Sequence, residues 1–158
     1  MKYEAEITSA AKEYRVNPAI IKAIIKVESS WNPKAKRYEK HLDDTSYGLM
    51  QILTKTAKWI TGNKKITKEQ LQDPTLNIII GTRYYKYLLD KYKDQDSAIA
   101  SYNAGSPKRS KLNPTKFVNQ SYVDKVKRAM LLYQKKEIFI ILGVSSIGFL
   151  LMKYNKVF

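Results

Sequence analysis

Ala23-Ile24-Ile25-Lys26-Val27-Glu28-Ser29-Ser30-Trp31-Asn32-Pro33 reads as a helix with one acid on its apolar side and a proline just beyond its end. Ile21, Ile24 and Ile25 precede Glu28 by seven, four and three residues, the offsets that share a helix face, so the carboxyl emerges among isoleucines. Upstream, Asn17-Pro18 supplies a start: an asparagine able to cap free N–H groups, then a proline at the first helical position. Burial among aliphatic side chains disfavours the ionised carboxylate and raises its pKa, which keeps a glutamate protonated near neutrality for use as a general acid. The ordinary alternative is a helix-end glutamate that reaches water, since one residue is not a site. Three later stretches weigh against that alternative.

The surroundings are helical. Residues 3–15 form a first helix, and Lys34 to Thr45 is polar and without period, an irregular loop or small hairpin over the end of the acid-bearing helix. Thr54 caps a short helix closed by Gly62, and Thr67-Lys68-Glu69-Gln70 fits a capping box. Asp73-Pro74 repeats the cap-plus-proline signal and opens a long helix to about Tyr92, with Ile78, Ile79, Tyr85, Leu88 and Leu89 as its apolar stripe. Asp96 or Ser97 caps a short helix ending at Gly105, and a last helix runs from Asn119 to about Gln134 with Tyr122, Val126, Ala129 and Tyr133 on one side. With no internal repeat and no run of strands, the expected class is mainly α.

At 158 residues the chain has room for one compact domain and an appendage, divided here as 1–134 and 135–158. Lysine and arginine number 29 against 14 acids, and the net charge of +15 is spread along the sequence, which calls for a polyanionic partner. Nucleic acid, anionic lipid and the acidic bacterial cell wall all qualify; no nucleic-acid motif or arginine-rich arm is present, so nucleic acid is not expected. The absence of cysteine excludes disulfides and thiolate metal sites, and His41 stands with no second ligand at a diagnostic spacing, so no metal or other cofactor is expected. The amino terminus lacks the apolar stretch of a secretory signal. Ile138 to Met152 is uncharged and lysine-bracketed, which predicts a C-terminal transmembrane helix contacting lipid through residues 138–152. A buried core helix is the alternative.

Four short motifs carry the chemistry. Glu28 stands in Glu-Ser-x-Trp-Asn-Pro. Tyr47-Gly48-Leu49-Met50-Gln51 offers a glycine for close backbone approach and an amide suited to sugar groups. Asp73-Pro74-Thr75-Leu76-Asn77-Ile78 reads as a capped core helix, and Ser101-Tyr102-Asn103-Ala104-Gly105 puts a phenol and an amide at a helix end. In this order and spacing the four resemble the soluble lytic transglycosylase family, related to goose-type lysozymes. The resemblance spans about Ile20 to Gly105 and implies an α-helical, lysozyme-like fold that cleaves the β-1,4 bond between N-acetylmuramic acid and N-acetylglucosamine in peptidoglycan. By the same resemblance Glu28 is the catalytic acid, Met50 and Gln51 line the saccharide groove, Tyr102 and Asn103 stand across from Glu28, and Asp73 to Ile78 is scaffold.

The chain departs from the family in one place. Where the family commonly has a serine nine residues after the glutamate, this chain has Arg37; Thr45-Ser46 replaces a Gly-Ala pair, and about five residues are inserted. Ser46 is the candidate for the missing hydroxyl, and the insertion brings Asp43 and Asp44 near the Gly-Leu-Met-Gln turn. The resemblance implies a single-acid route in which Glu28 acts as acid and then base and a 1,6-anhydro ring closes without water, with Tyr102 positioning Glu28 or the acetamido group. The alternatives are a hydrolase using Asp43 or Asp44 and a non-catalytic structural or membrane-bound protein on the same scaffold. A wall enzyme with a membrane segment and no secretory signal points to a phage virion, with virion proteins as further partners and a virion membrane or the bacterial envelope as its location. Lys125, Lys127, Arg128, Lys135 and Lys136 precede the apolar run and only Lys153 and Lys156 follow it. That bias would hold the domain on the cytoplasmic side of a cell.

Overall fold

The computed structural model describes residues 2–141. Its centre is α2 (Pro18–Ser29), started by Asn17, whose side chain accepts from the Ala19 N–H at 2.8 Å. Ala19, Ile20, Ile21, Ala23, Ile24 and Ile25 are all buried, so this helix is surrounded on most sides instead of lying on a surface. The helices around it are α1 (Glu4–Tyr14), α5 (Pro74–Tyr92), α6 (Gln95–Ala104) and α7 (Gln120–Ile141). They close a ring: α1 packs on α2 and α5, α5 on α6, α6 on α7, and α7 back on α2. The short helices α3 (Thr54–Thr61) and α4 (Lys68–Leu71) rest on α5.

The polar insertion folds as a hairpin of β1 (Lys36–Glu39) and β2 (Asp44–Tyr47), to which β3 (Ile52–Leu53) is added as a third antiparallel strand. The register pairs Arg37 with Ser46 and Ser46 with Leu53. Asp44 and Ser46 point inward; Asp44 accepts from the Lys55 N–H at 2.8 Å, which fastens the sheet to the start of α3.

The turn between β2 and β3 is fixed to α5 by the fully buried Asn77. Its amide donates to the Tyr47 and Leu71 carbonyls at 2.8 and 2.7 Å and accepts from the Met50 N–H at 2.7 Å. Gly48 sits in the left-handed region (φ 78°) directly against that amide, where any Cβ would come within 2.3 Å of Asn77 Nδ2. Gly81 likewise leaves the space that Met50 fills.

The last helix requires a correction. Among the described residues no helix is long and apolar enough to cross a membrane. α7, which enters the apolar run, is for most of its length an amphipathic packing helix: Val123, Val126 and Met130 are buried against the domain, while charged residues occupy its other side. The expected transmembrane helix is therefore withdrawn; residues 142–158, including most of the apolar run, lie outside the described residues. α7 also continues past Gln134 to Ile141. Lys22, 2 % exposed, donates to Glu4 at 2.6 Å and to Glu137 at 2.7 Å, tying α1 and the far end of α7 to α2. Burial opposes its charge, but the hydrogen bonds to Glu137 and Glu4 outweigh burial and hold its pKa above the usual lysine value.

Candidate active site

Glu28 occupies the last turn of α2, and Ser30 and Trp31 then take left-handed conformations (φ 50° and 70°) that turn the chain sharply toward β1. Trp31 is held by α7: its indole N–H donates to the Tyr133 hydroxyl at 3.3 Å, and the rings meet edge to face. One turn of strain is thus anchored next to the acid. Glu28 Oε1 accepts a 2.6 Å hydrogen bond from the Tyr122 hydroxyl, also on α7. Burial pushes the Glu28 pKa up. The Tyr122 hydrogen bond and the Arg37 charge pull it down and Glu39 pushes it up, for a net rise above the usual glutamate value.

The carboxyl lies in the middle of a continuous groove. On one side is a space of about 380 Å³ bounded by Glu28, Arg37, Glu39, Ser46, Gln51 and Tyr102. It continues past Asn103 and Leu53 into about 330 Å³ walled by Thr56, Tyr84 and Gly105. On the other side, between α2 and α7, a furrow of about 760 Å³ is bordered by Lys26, Arg37, Tyr122, Lys125, Arg128 and Leu132. The groove is therefore assembled from α2, the sheet, the end of α6 and α7.

Most of the residues singled out in the sequence meet here. Asn103 is exposed and borders all three spaces, its side-chain oxygen accepting from Asn119 Nδ2 at 3.0 Å. Gln51 adopts φ 47° and faces the groove, but its amide is spent on the fold: Nε2 donates to the Gly48 and Ala35 carbonyls at 2.9 and 3.2 Å. Its oxygen accepts from Ser46 Oγ at 3.0 Å, so Ser46, 2 % exposed, orients Gln51 more than it presents a hydroxyl.

Three expectations change. Met50 does not line the groove: its side chain is fully buried beside Gly81, because the β2–β3 turn points it inward, and its carbonyl is occupied by a hydrogen bond from Tyr102. Tyr102 donates to that carbonyl at 2.9 Å and so is not the partner of Glu28; burial, then the Glu28 charge, hold its phenol well above the usual tyrosine value. Asp43 and Asp44 border none of the three spaces, since Asp44 caps α3 and Asp43 accepts from Tyr38 at 2.8 Å. The carboxylate that does face Glu28 across the groove is Glu39, paired with Arg37. Tyr122, Arg37 and Glu39 were thus missed as site residues. Tyr122 is separated from Glu28 by 94 positions and looks in sequence like one more residue of an apolar helix face.

Residues 6–122 match the family model of the transglycosylase SLT domain. The putative soluble lytic murein transglycosylase of Haemophilus influenzae is 32 % identical over 108 residues, which is 66 % of this chain and 17 % of that protein. The transglycosylase of Enterobacteria phage PRD1 is 29 % identical over 100 residues, 63 % of this chain and 34 % of that one. The chain thus spans only a fraction of the length of these curated relatives. Among solved structures, an inactive glutamate-to-glutamine variant of the lytic transglycosylase Slt from Pseudomonas aeruginosa superposes with a TM-score of 0.72 at 24 % identity, covering 86 % of this chain and 24 % of that one. At that identity the likeness speaks to the fold.

Proposed function

The chain belongs to the transglycosylase SLT family, and from that premise we propose that it is a peptidoglycan lytic transglycosylase in which Glu28 serves as acid and then as base. The observation that carries this reading is the raised-pKa carboxyl of Glu28 at the midpoint of a long groove, with one oxygen already engaged by Tyr122. The other oxygen is left to hold the proton. Glu28 gives that proton to the glycosidic oxygen between N-acetylmuramic acid and N-acetylglucosamine as the bond breaks. The substrate's N-acetyl group stabilises the cationic centre, and the Glu28 carboxylate then removes the proton of the muramic 6-hydroxyl as that oxygen closes the 1,6-anhydro ring. Glu28 ends protonated as it began, and no water is consumed. Asn103 presents its amide along the path of the strand, and Gln51, its own amide engaged by Gly48, Ala35 and Ser46, forms part of the wall.

A hydrolytic second reading draws on Glu39, a carboxylate on the same groove that would activate water. Its pairing with Arg37 ties it up and favours the single-acid route. The phage relative supports action at a bacterial envelope, with a wall-penetrating virion as one setting.

Glu28→Gln tests the reading, because the amide keeps the size but carries no transferable proton. Release of soluble muropeptides from purified wall is expected to fall about 10²- to 10⁴-fold with the helical circular dichroism unchanged. Undiminished release would overturn the assignment.

A further inference from the structure

Between α6 and α7 the chain runs Gly105-Ser106-Pro107-Lys108-Arg109-Ser110-Lys111-Leu112-Asn113-Pro114-Thr115-Lys116-Phe117-Val118-Asn119, with four cations and no acid. It is built as a finger. Arg109 and Phe117 pair antiparallel, and on either side of them the Ser110 and Val118 N–H groups donate to the Lys116 and Lys108 carbonyls at 2.8 and 2.9 Å. Phe117 is buried and anchors the base; the Arg109 guanidinium lies 3.9 Å from its ring centroid and donates to the Thr115 carbonyl at 3.1 Å. Side chains close the tip. Ser110 Oγ accepts from the Leu112 and Asn113 N–H groups at 3.3 and 3.4 Å, and Asn113 Oδ1 accepts from the Thr115 N–H at 3.1 Å. This hydrogen-bonded turn holds Leu112 out at 99 % exposure. Lys108, Arg109, Lys111 and Lys116 are exposed around it, and none has a carboxylate within 4 Å among the described residues. A leucine so placed adds nothing to the core, and clustered cations oppose the fold by mutual repulsion. An ordered turn that keeps both in place presents them to something else.

We infer that the α6–α7 finger is a membrane-contact element: its cations meet the phosphates of an anionic lipid surface, and Leu112 enters the boundary between headgroups and acyl chains. A bilayer offers both chemistries in the required order, negative charge outermost and hydrocarbon just beneath. A glycan or a phosphate polymer would engage the cations but leave Leu112 in water. An acidic protein would have to supply a pocket for a single leucine. One leucine and four charges give reversible attachment, far weaker than that of a spanning helix. The finger springs from the rim of the groove, since Gly105 and Asn119 border its spaces, so this contact holds the groove close to the lipid surface. Contact of this kind is independent of the cleavage chemistry.

The chain has no cysteine, so Leu112→Cys carries a single environment-sensitive fluorophore at the tip, and Lys64→Cys carries the same label on the exposed α3–α4 loop. With the full chain, mixed phosphatidylcholine and phosphatidylglycerol vesicles should shift the tip label to the blue and expose it to quenching by lipids brominated in their acyl chains. The label at position 64 should stay in water, and phosphatidylcholine alone should shift neither. In cosedimentation of the unlabelled chain with the mixed vesicles, Leu112→Ser should weaken binding about tenfold and Lys111→Gln with Lys116→Gln about 30-fold. Lys64→Gln with Lys65→Gln, an equal charge loss on another loop, should cost much less. An unshifted tip label, an equal shift with phosphatidylcholine alone, or equal losses from the two lysine pairs would overturn the inference. Cation substitutions that weaken binding while Leu112→Ser does not would make the finger a general polyanion contact and overturn it as well.

Discussion

Tyr122 governs how Glu28 holds its proton. The phenol donates at 2.6 Å and thereby favours the carboxylate, while burial favours the acid, and burial prevails. Tyr122→Phe removes the stabiliser of the charged form, so the Glu28 pKa rises further and the alkaline limb of the kcat/KM profile moves to higher pH. Loss of a hydrogen bond to a charged group, about 1.5–3 kcal/mol, should also slow turnover by about 10- to 100-fold. A profile and rate matching the unsubstituted chain would reduce Tyr122 to packing. The same raised pKa makes a stability prediction. The folded chain binds the Glu28 proton more tightly than the unfolded chain, so stability falls as pH rises from the ordinary glutamate range through the raised value. Glu28→Gln has no such loss, and in urea titrations it should be more stable than the unsubstituted chain at pH 7 but not at pH 3. A variant no more stable at pH 7 would mean that burial does not strain this carboxyl. Sequence alone reached Glu28 because its environment is written into its own helix, in Ile21, Ile24 and Ile25. Nothing local reported Tyr122, whose partner lies on another element.

At the level of elements, the β2–β3 turn depends on one amide. Asn77 satisfies three backbone groups in a site closed to water, so Asn77→Ala leaves all three without partners and should cost about 2–4 kcal/mol. Urea unfolding measures it; a cost below about 0.5 kcal/mol, the range of neutral surface changes, would show that the turn holds itself. Helix starts were the most legible part of the chain, because Asn17 and Asp73 cap through their own neighbouring N–H groups and each is followed by proline. The capping box at Thr67 and Gln70 forms for the same reason. The start of α6 was less legible: the sequence points to Asp96 or Ser97 as the cap, whereas Asp94 caps the helix through the Ser97 N–H. The sheet was read only as an irregular loop or small hairpin, since strands of four, four and two polar-rich residues are too short to show a period of two. Met50 was misassigned because a motif fixes which residues recur, not which way a turn aims each side chain.

For the molecule as a whole, α7 is the member that sequence described least well. Its near end supplies Tyr122, its middle Lys125, Arg128 and the Tyr133 hold on Trp31, and its far end Glu137 for the buried Lys22. Each of these ties joins positions more than ninety residues apart, which composition and periodicity do not report. Hydropathy of the run beginning at Ile138 drew the eye to a membrane, whereas the described part of the helix is organised by contacts with α2. The groove is likewise a property of the closed ring, formed only when α2, the sheet, α6 and α7 converge on Glu28. The central claim is that this groove performs a water-free cleavage with a single acid. Mass analysis of the muropeptides released from purified peptidoglycan tests it most directly: the account predicts products ending in 1,6-anhydro-muramic acid, one water lighter than hydrolysis products, and products ending only in reducing muramic acid would contradict it.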